Sequence, residues 1–285
     1  MQPDNKDGRY QEGEMKKEGI ASFGGLRNKA FGCKSALPLA LFLLVAVCAA
    51  SVINSKKEGL VEYVGAQKDI FVSGKATKVV SLEDLAGQKG LYAVGPIEGL
   101  DGEITIFDSK PYITKVRGSG YTAEHTFKHG AFFLVWSEWT KWQNVQIPAG
   151  VKSYVDLQKF VKSQAQSAGI DVTQPFPFLL SGTPVEIKWH INVDRTEGKP
   201  ITKELFAKSK EHFVTKNEPV DIVGFYGPHH AGIFLPKFTP AIKEGSGMEN
   251  EIHIHLVSRT SKAAGHIDEL TLGENMVLRL PKVPE

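Results

Sequence analysis

The segment 251–266 restricts the fold more than any other part of the chain. Within 252–257 the histidines alternate with isoleucine and leucine, which is the period of two expected for a strand with one apolar face. His253 and His255 therefore project from the same face of this strand, about 7 Å apart. The residues that follow are polar or small and end in glycine. They predict a turn that returns His266 to the pair.

Three neutral imidazoles that meet at a bend are typical of an open metal site. Zinc suits this ligand set, with one coordination position left for a substrate. A different interpretation is that His253 and His255 are surface side chains on a half-exposed strand and that His266 is a turn residue. The spacing alone leaves both interpretations open.

The composition restricts the class of protein. A chain of 285 residues with 41% hydrophobic and 23% charged residues is an ordinary globular protein. A net charge of +2 is too small to predict nucleic-acid binding, and no basic helix is evident. Cys33 and Cys48 both precede the region expected to fold, so disulfides and cysteine-bound metal are excluded from that region.

The chain divides into three predicted regions. Residues 1–35 are polar and glycine-rich, which indicates a flexible tail. Residues 36–53 carry no charge, which favours a transmembrane anchor or a signal segment. A folded domain is expected over 60–285. Basic residues precede the apolar segment, so the domain is predicted to be extracytoplasmic, either secreted or anchored to the membrane through 36–53 if this segment is not cleaved.

The folded region is predicted to be rich in strands. Alternating or continuous apolar residues predict strands over 185–193, 220–226, 251–257 and 276–280. A helical stripe of apolar residues predicts a helix over 154–168. The segment 202–214 is left as a short helix or an irregular crossing.

An acidic residue is placed at the start of another strand. The turn 99–102 leads into Glu103, which shares one face of its strand with Thr105 and Phe107. Glu103 is therefore a candidate to join the histidines. The alternative is a solvated turn carboxylate.

Together these motifs resemble the acetolactate decarboxylase family. The chain has Gly99-Leu100-Asp101-Gly102-Glu103, then Gly224-Phe225 with Pro228, then His253-x-His255, and then Gly265-His266-Ile267-Asp268, in the family's order and at approximately its spacing. The resemblance covers roughly 82–280. It is carried by the joint occurrence of the Asp-Gly-Glu turn with the histidine motifs.

The resemblance implies a fold, a metal and a reaction. The fold would be α+β and β-rich, with two sheet-based halves, a mixed sheet and a small barrel-like sheet, and the metal site between them. Zinc would lie on His253, His255 and His266, with Glu103 as a metal ligand or a proton-handling group. The reaction would convert acetolactate, or a similar 2-hydroxy-3-oxo acid, to acetoin, with the metal as electron sink.

The resemblance also implies a cationic group for the substrate carboxylate. The family uses an arginine from the segment that corresponds to 202–214, but this segment contains lysines and no arginine. Arg195 precedes it. Lys208 and Lys210 are therefore the candidates, each acting as a point charge without the bidentate fork of arginine.

Two other functions are considered. One is a non-catalytic extracytoplasmic module that binds metal or a small carboxylate on the same fold. The other is a cupin-like metal enzyme, which is disfavoured because 256–259 lacks the glutamate expected after His-x-His. The sequence leaves the oligomeric state open.

Overall fold

The computed structural model describes residues 53–283. Its strands in chain order are β1 (Lys56–Glu58), β2 (Val61–Gly65), β3 (Val80–Ser81), β4 (Leu91–Pro96), β5 (Glu103–Phe107), β6 (Lys110–Arg117), β7 (Gly120–Glu124), β8 (Gly130–Ala131), β9 (Phe133–Glu138), β10 (Trp142–Gln146), β11 (Phe176–Gly182), β12 (Glu186–Asn192), β13 (Lys210–Lys216), β14 (Val220–Tyr226), β15 (Ile252–Ser258), β16 (Ala264–Thr271) and β17 (Val277–Pro281). The α-helices are α1 (Asp69–Ser73), α2 (Tyr154–Ser167) and α3 (Lys203–Lys208), and two 3₁₀-helices span Leu82–Leu85 and Glu98–Leu100.

Two large sheets form the body. A seven-stranded sheet has the order β1-β2-β9-β4-β5-β6-β7, and an eight-stranded sheet has the order β10-β17-β11-β14-β15-β16-β12-β13. Strands β3 and β8 form a separate short pair. This arrangement confirms the predicted β-rich α+β class with two sheet-based halves.

The sheets differ from the expectation in one respect. Their described strand pairs are antiparallel, so neither is a mixed sheet, and each order runs from one edge strand to another rather than as a small barrel. Short turns between consecutive strands require antiparallel pairing. Asp108 and Ser109, for example, both have positive φ and join β5 to β6 as a tight hairpin.

The eight-stranded sheet is covered on one face by α2. Leu157, Val161 and Ala165 lie on one side of this helix and are buried in a cluster with apolar side chains of the sheet. The opposite face packs on the seven-stranded sheet, since Val94 and Phe225 share a second apolar cluster. The polar side chains on this face of the eight-stranded sheet lie between the two sheets, where they can form a site.

The predicted elements are largely present. The helix expected over 154–168 is α2. The segment 202–214 contains the short helix α3 and then the first residues of β13. The Thr202 hydroxyl caps α3 by accepting a hydrogen bond from the Leu205 amide.

The predicted transmembrane signal anchor requires correction. In the part of the chain that the structure describes, no helix has the length and apolar character needed to cross a membrane. The segment on which the assignment depended, 36–53, lies outside the described residues except for its last residue, as does the predicted tail 1–35. The extracytoplasmic location stays a prediction.

The N-terminus of α2 generates a stability prediction. The Ser153 hydroxyl accepts a hydrogen bond from the Asp156 amide, and the Asp156 carboxylate accepts one from the Ser153 amide. Ser153→Ala removes one half of this capping box and should lower the free energy of unfolding by about 1 kcal/mol in urea denaturation. Ser163→Ala, at an exposed position of the same helix, is the matched control and should stay within about 0.5 kcal/mol of the parent. Equal stability of the two variants would contradict this role of the cap.

Candidate active site

A row of histidines crosses four neighbouring strands of the eight-stranded sheet. His255 on β15 is directly opposite His266 on β16, and His266 is directly opposite His190 on β12. His190 is in turn opposite His212 on β13. Residues directly opposite one another in antiparallel strands project from the same face. The register of the sheet therefore places all four imidazoles on the face that meets the seven-stranded sheet.

Three of these side chains converge at one point. His253 lies two residues before His255 and shares its face. The Nε2 atom of His253 is 3.0 Å from Nε2 of His255 and 2.9 Å from Nδ1 of His266. The three side chains are buried, and their nitrogen atoms form a group that could hold a metal ion. The predicted turn after β15 thus brings His266 back to the pair.

The residue before His266 is Gly265, which lies in close contact with the neighbouring strand β12. A Cβ atom added at Gly265 would lie 2.6 Å from the ring of Trp189 and 2.8 Å from the carbonyl oxygen of His190. Only glycine allows β16 to lie so closely against these groups. In the Gly-His pair, the glycine is therefore needed for close packing of the strands, and the histidine supplies a nitrogen atom to the cluster.

The ring nitrogens of the cluster are oriented by their neighbours. Nδ1 of His253 donates a hydrogen bond of 2.6 Å to the carbonyl oxygen of Phe234, which leaves a lone pair on Nε2 of the neutral ring. Nδ1 of His255 lies 2.9 Å from the hydroxyl of Thr105. Two of the three imidazoles thus direct their Nε2 atoms into the cluster, as metal-binding histidines do when the other nitrogen is held by a neighbour.

The cluster favours uncharged imidazoles. Burial lowers the pKa of His253 to about 3 and that of His255 well below its ordinary value. Burial likewise lowers the pKa of His266, with the neighbouring histidines acting in the same direction. The neutral imidazole is the form that coordinates a metal. The residues present therefore fit a divalent cation that accepts nitrogen ligands.

Glu103 reaches the cluster from the other sheet. It begins β5, is 2% exposed, and places its Oε2 atom 3.8 Å from Nε2 of His255. Its Oε1 atom accepts a hydrogen bond from the Asn192 amide at 3.3 Å. Burial raises the pKa of Glu103 well above its ordinary value of 4.5, although the charge of Lys210 opposes this effect. The alternative of a solvated turn carboxylate does not agree with this burial.

The two candidate lysines occupy different places. Lys210 lines the cavity beside the histidines, and burial lowers its pKa despite the charges of Asp268 and Glu103. Lys208 is exposed at the end of α3 and is not part of the cavity wall. The guanidinium of Arg195 donates hydrogen bonds to the carbonyl oxygens of Lys208 and Lys210, so this arginine is engaged outside the cavity.

Sequence reasoning missed several residues of this face. His190 is buried and lies 2.9 Å from both carboxylate oxygens of Asp268, which is also near His212. Burial lowers the pKa of His190 to about 4. Asn192 has a buried Oδ1 atom that has no hydrogen-bond partner among the described residues. The available signal was the alternation along β12, where His190 and Asn192 occupy one face, but only the register shows which face meets the cluster.

A cavity of about 390 Å³ opens over the cluster. Its polar residues are Glu103, His190, Asn192, Lys210, His253 and His266 together with Gln67, Lys68, Lys203 and Lys237, and its apolar residues include Phe71, Phe133, Phe206, Ala207, Pro236 and Phe238. The site is therefore an open cleft whose buried end carries the histidines and other polar groups.

Comparison with known proteins identifies the family. The sequence profile described as "Alpha-acetolactate decarboxylase" matches residues 66–284, which is most of the chain. The chain belongs to the alpha-acetolactate decarboxylase family. None of the curated protein sequences compared with this family member matches it.

Solved structures agree with this family at the level of the fold. Alpha-acetolactate decarboxylase from Bacillus subtilis strain 168 is 18% identical, with a TM-score of 0.58 over 78% of this chain and 85% of that chain. The enzyme from Bacillus subtilis subspecies spizizenii is 17% identical, with the same TM-score and coverage. A protein of unknown function similar to alpha-acetolactate decarboxylase from Staphylococcus aureus is 14% identical, with a TM-score of 0.56 over 76% of this chain and 83% of that chain.

The geometry predicts one metal ion per chain at the three histidines. His255→Ala removes one of the three nitrogen atoms of the cluster, so bound divalent metal should fall from about one equivalent to near zero in elemental analysis. His125→Ala, at an exposed position far along the chain from the cluster, is the control and should retain the metal. Circular dichroism of both variants checks that the fold persists. Full retention of metal by a folded His255→Ala variant would contradict the assignment.

Proposed function

We propose that the chain is a zinc-dependent decarboxylase that converts acetolactate, or a similar 2-hydroxy-3-oxo acid, to acetoin or its homologue. Zinc would be held by His253, His255 and His266. The observation that carries the proposal is the convergence of their three buried nitrogen atoms beneath a cavity in a member of this family.

The reaction needs a group that stabilises negative charge and a group that donates a proton. When the carboxylate leaves as carbon dioxide, the electron pair of the broken carbon–carbon bond passes into the adjacent carbonyl group, and the carbon that held the carboxylate then takes up a proton. A divalent cation held by His253, His255 and His266 would supply a Lewis acid that stabilises the negative charge developing on the substrate oxygens. The side chains around the cavity supply substrate orientation and the proton.

Lysines of the cavity favour an anionic substrate. Lys68, Lys203, Lys210 and Lys237 line it, whereas Glu103 is its only carboxylate among the described lining residues. An excess of positive charge in a cleft attracts anions and raises their local concentration. Lys210 is the lysine whose charge is felt by Glu103 and His266, so we assign it the substrate carboxylate.

Asn192 and Glu103 are suited to the remaining groups of the substrate. Asn192 lines the cavity, and rotation of its side chain would turn the buried, unpartnered Oδ1 atom towards a substrate hydroxyl, which removes the cost of leaving this acceptor unpaired. Burial raises the pKa of Glu103 well above its ordinary value, which favours the protonated form of its carboxyl. Glu103 then donates the proton that replaces carbon dioxide on the substrate carbon.

The activity is tested by adding acetolactate to the zinc-loaded protein and measuring acetoin. The expected result is acetoin formation that stops when a chelator removes zinc and returns when zinc is added back. Stoichiometric zinc without acetoin formation would contradict the decarboxylase and would favour the non-catalytic metal-binding or carboxylate-binding module.

Lys208 and Lys210 form a matched pair of variants. Lys210→Ala removes the charge from the cavity and should raise the KM for acetolactate by about 10- to 100-fold, which corresponds to the loss of a charged hydrogen bond of about 1.5–3 kcal/mol. Lys208→Ala removes the same charge from an exposed position two residues earlier and should change KM less than about twofold. Equal effects in the two variants would show that Lys210 does not bind the carboxylate.

Glu103→Gln separates the two roles predicted for this residue. The amide has nearly the same size but donates no proton to carbon, so kcat should fall by about 10²- to 10⁴-fold while bound zinc stays at one equivalent. Elemental analysis and steady-state kinetics on the same preparation check both values. Loss of zinc would identify Glu103 as a metal ligand instead, and an unchanged kcat would remove it from proton transfer.

A further inference from the structure

The cavity over the histidines has two chemically different zones. The inner zone contains Glu103, Asn192, Lys210 and the histidine cluster. The outer zone, which we define by Phe71, Phe206, Ala207, Pro236 and Phe238, is apolar. It is built by α1, by α3 and by the segment that precedes β15. The proposed reaction uses every polar group of the inner zone but gives the outer zone no role.

The aromatic side chains of the outer zone are arranged as a wall. The rings of Phe71 and Phe206 pack edge to face at 5.7 Å, which holds α1 against α3. Both rings pack on the apolar cluster that contains Val94 and Phe225 but are only partly buried, so part of each ring also lines the cavity. Phe238 is 70% exposed at the same cavity. A large apolar side chain exposed beside a binding site is typical of a surface that contacts a ligand.

The two zones are continuous. Nζ of Lys210 lies 5.4 Å from the ring centroid of Phe206, so the wall begins beside the group assigned to the substrate carboxylate. On the other side, the ring of Phe133 is 6.2 Å from that of His253 and lines the same cavity. A substituent on the carbon that bears the carboxylate can therefore extend from the inner zone along the aromatic wall.

The volume of the cavity also favours a ligand larger than acetolactate. The cavity measures about 390 Å³, within the range of roughly 300–1,000 Å³ that encloses drug-sized ligands. Acetolactate has nine non-hydrogen atoms and only a methyl group on C2. It would occupy the inner zone and leave the phenylalanine wall in contact with water.

We infer that this site prefers 2-hydroxy-3-oxo acids whose C2 substituent is an apolar chain several methylenes long over those with a methyl group, with the chain packed on Phe71, Phe206 and Phe238. The inference rests on the proposed decarboxylation for the position of the carboxylate and the reacting carbon. The outer zone then determines substrate preference, whereas the inner zone performs the reaction.

The test compares the zinc-loaded protein on acetolactate and on its homologue with a 2-pentyl group, which adds four methylenes. Each methylene that is fully buried favours binding by about fourfold, and partial burial reduces this factor. The expected ratio of kcat/KM, pentyl to methyl, is at least tenfold. A ratio of one or less, with acetolactate turned over normally, would overturn the inference and leave the decarboxylase intact.

A variant locates the preference at the wall. Ala207→Trp adds bulk at an exposed position of α3 that lines the outer zone, and it should lower the pentyl-to-methyl ratio at least fivefold. Lys208→Trp adds the same side chain at the next residue, outside the cavity wall, and should leave the ratio unchanged. Equal ratios in the two variants would overturn the location of the binding surface.

A binding measurement separates this inference from the reaction. Calorimetry with 2-hydroxy-2-methylheptanoate and 2-hydroxy-2-methylpropanoate, which lack the 3-oxo group and cannot be decarboxylated, should show at least tenfold tighter binding of the longer acid and a negative heat-capacity change. This result without turnover of either oxo acid would refute the decarboxylase but keep the apolar ligand class. Equal affinities would refute the ligand class whether or not turnover is seen.

Discussion

The antiparallel register of β12, β16 and β15 is the constraint on which the site depends. It places His190, His266 and His255 in one line across the sheet, and the period of two along β15 adds His253. A shift of one residue in any of these pairings would turn its histidine to the opposite face, towards the cluster packed under α2. The apolar residues that alternate with the histidines pack under α2 and fix the register. The same register therefore both buries the core residues and brings the histidines together.

The second sheet completes the chemistry. Thr105 and Glu103, two residues apart on β5, reach across the interface to His255 from the same face of their strand. Burying a carboxyl group beside uncharged imidazoles is costly unless it is protonated, paired or near a cation. The close approach of the sheets thus raises the pKa of Glu103 and lowers that of His255 through burial. It also places the cavity lined by Lys210 and Asn192 beside the histidines.

Local patterns predicted the cluster and most elements, because alternation and turns act over few residues. His253, His255 and the return of His266 follow from one hairpin, and α2 follows from one apolar stripe. The role of Glu103 at the histidines required the family resemblance, since this residue is distant in sequence from the hairpin and its turn also fitted a solvated carboxylate. His190, Asp268 and the difference between Lys208 and Lys210 depend on the pairing of β12 with β13 and β16, which no local pattern specifies. The mixed character expected of one sheet was wrong, because periodicity does not report strand direction.

The proposed site binds one cation through three imidazoles in the interface between the sheets. X-ray absorption at the zinc edge of the metal-loaded protein tests this binding most directly. The expected spectrum shows three imidazole nitrogen ligands at about 2.0–2.1 Å with a remaining position for water or substrate. A spectrum without histidine ligands, or with a single imidazole as expected for adventitious surface zinc, would contradict it.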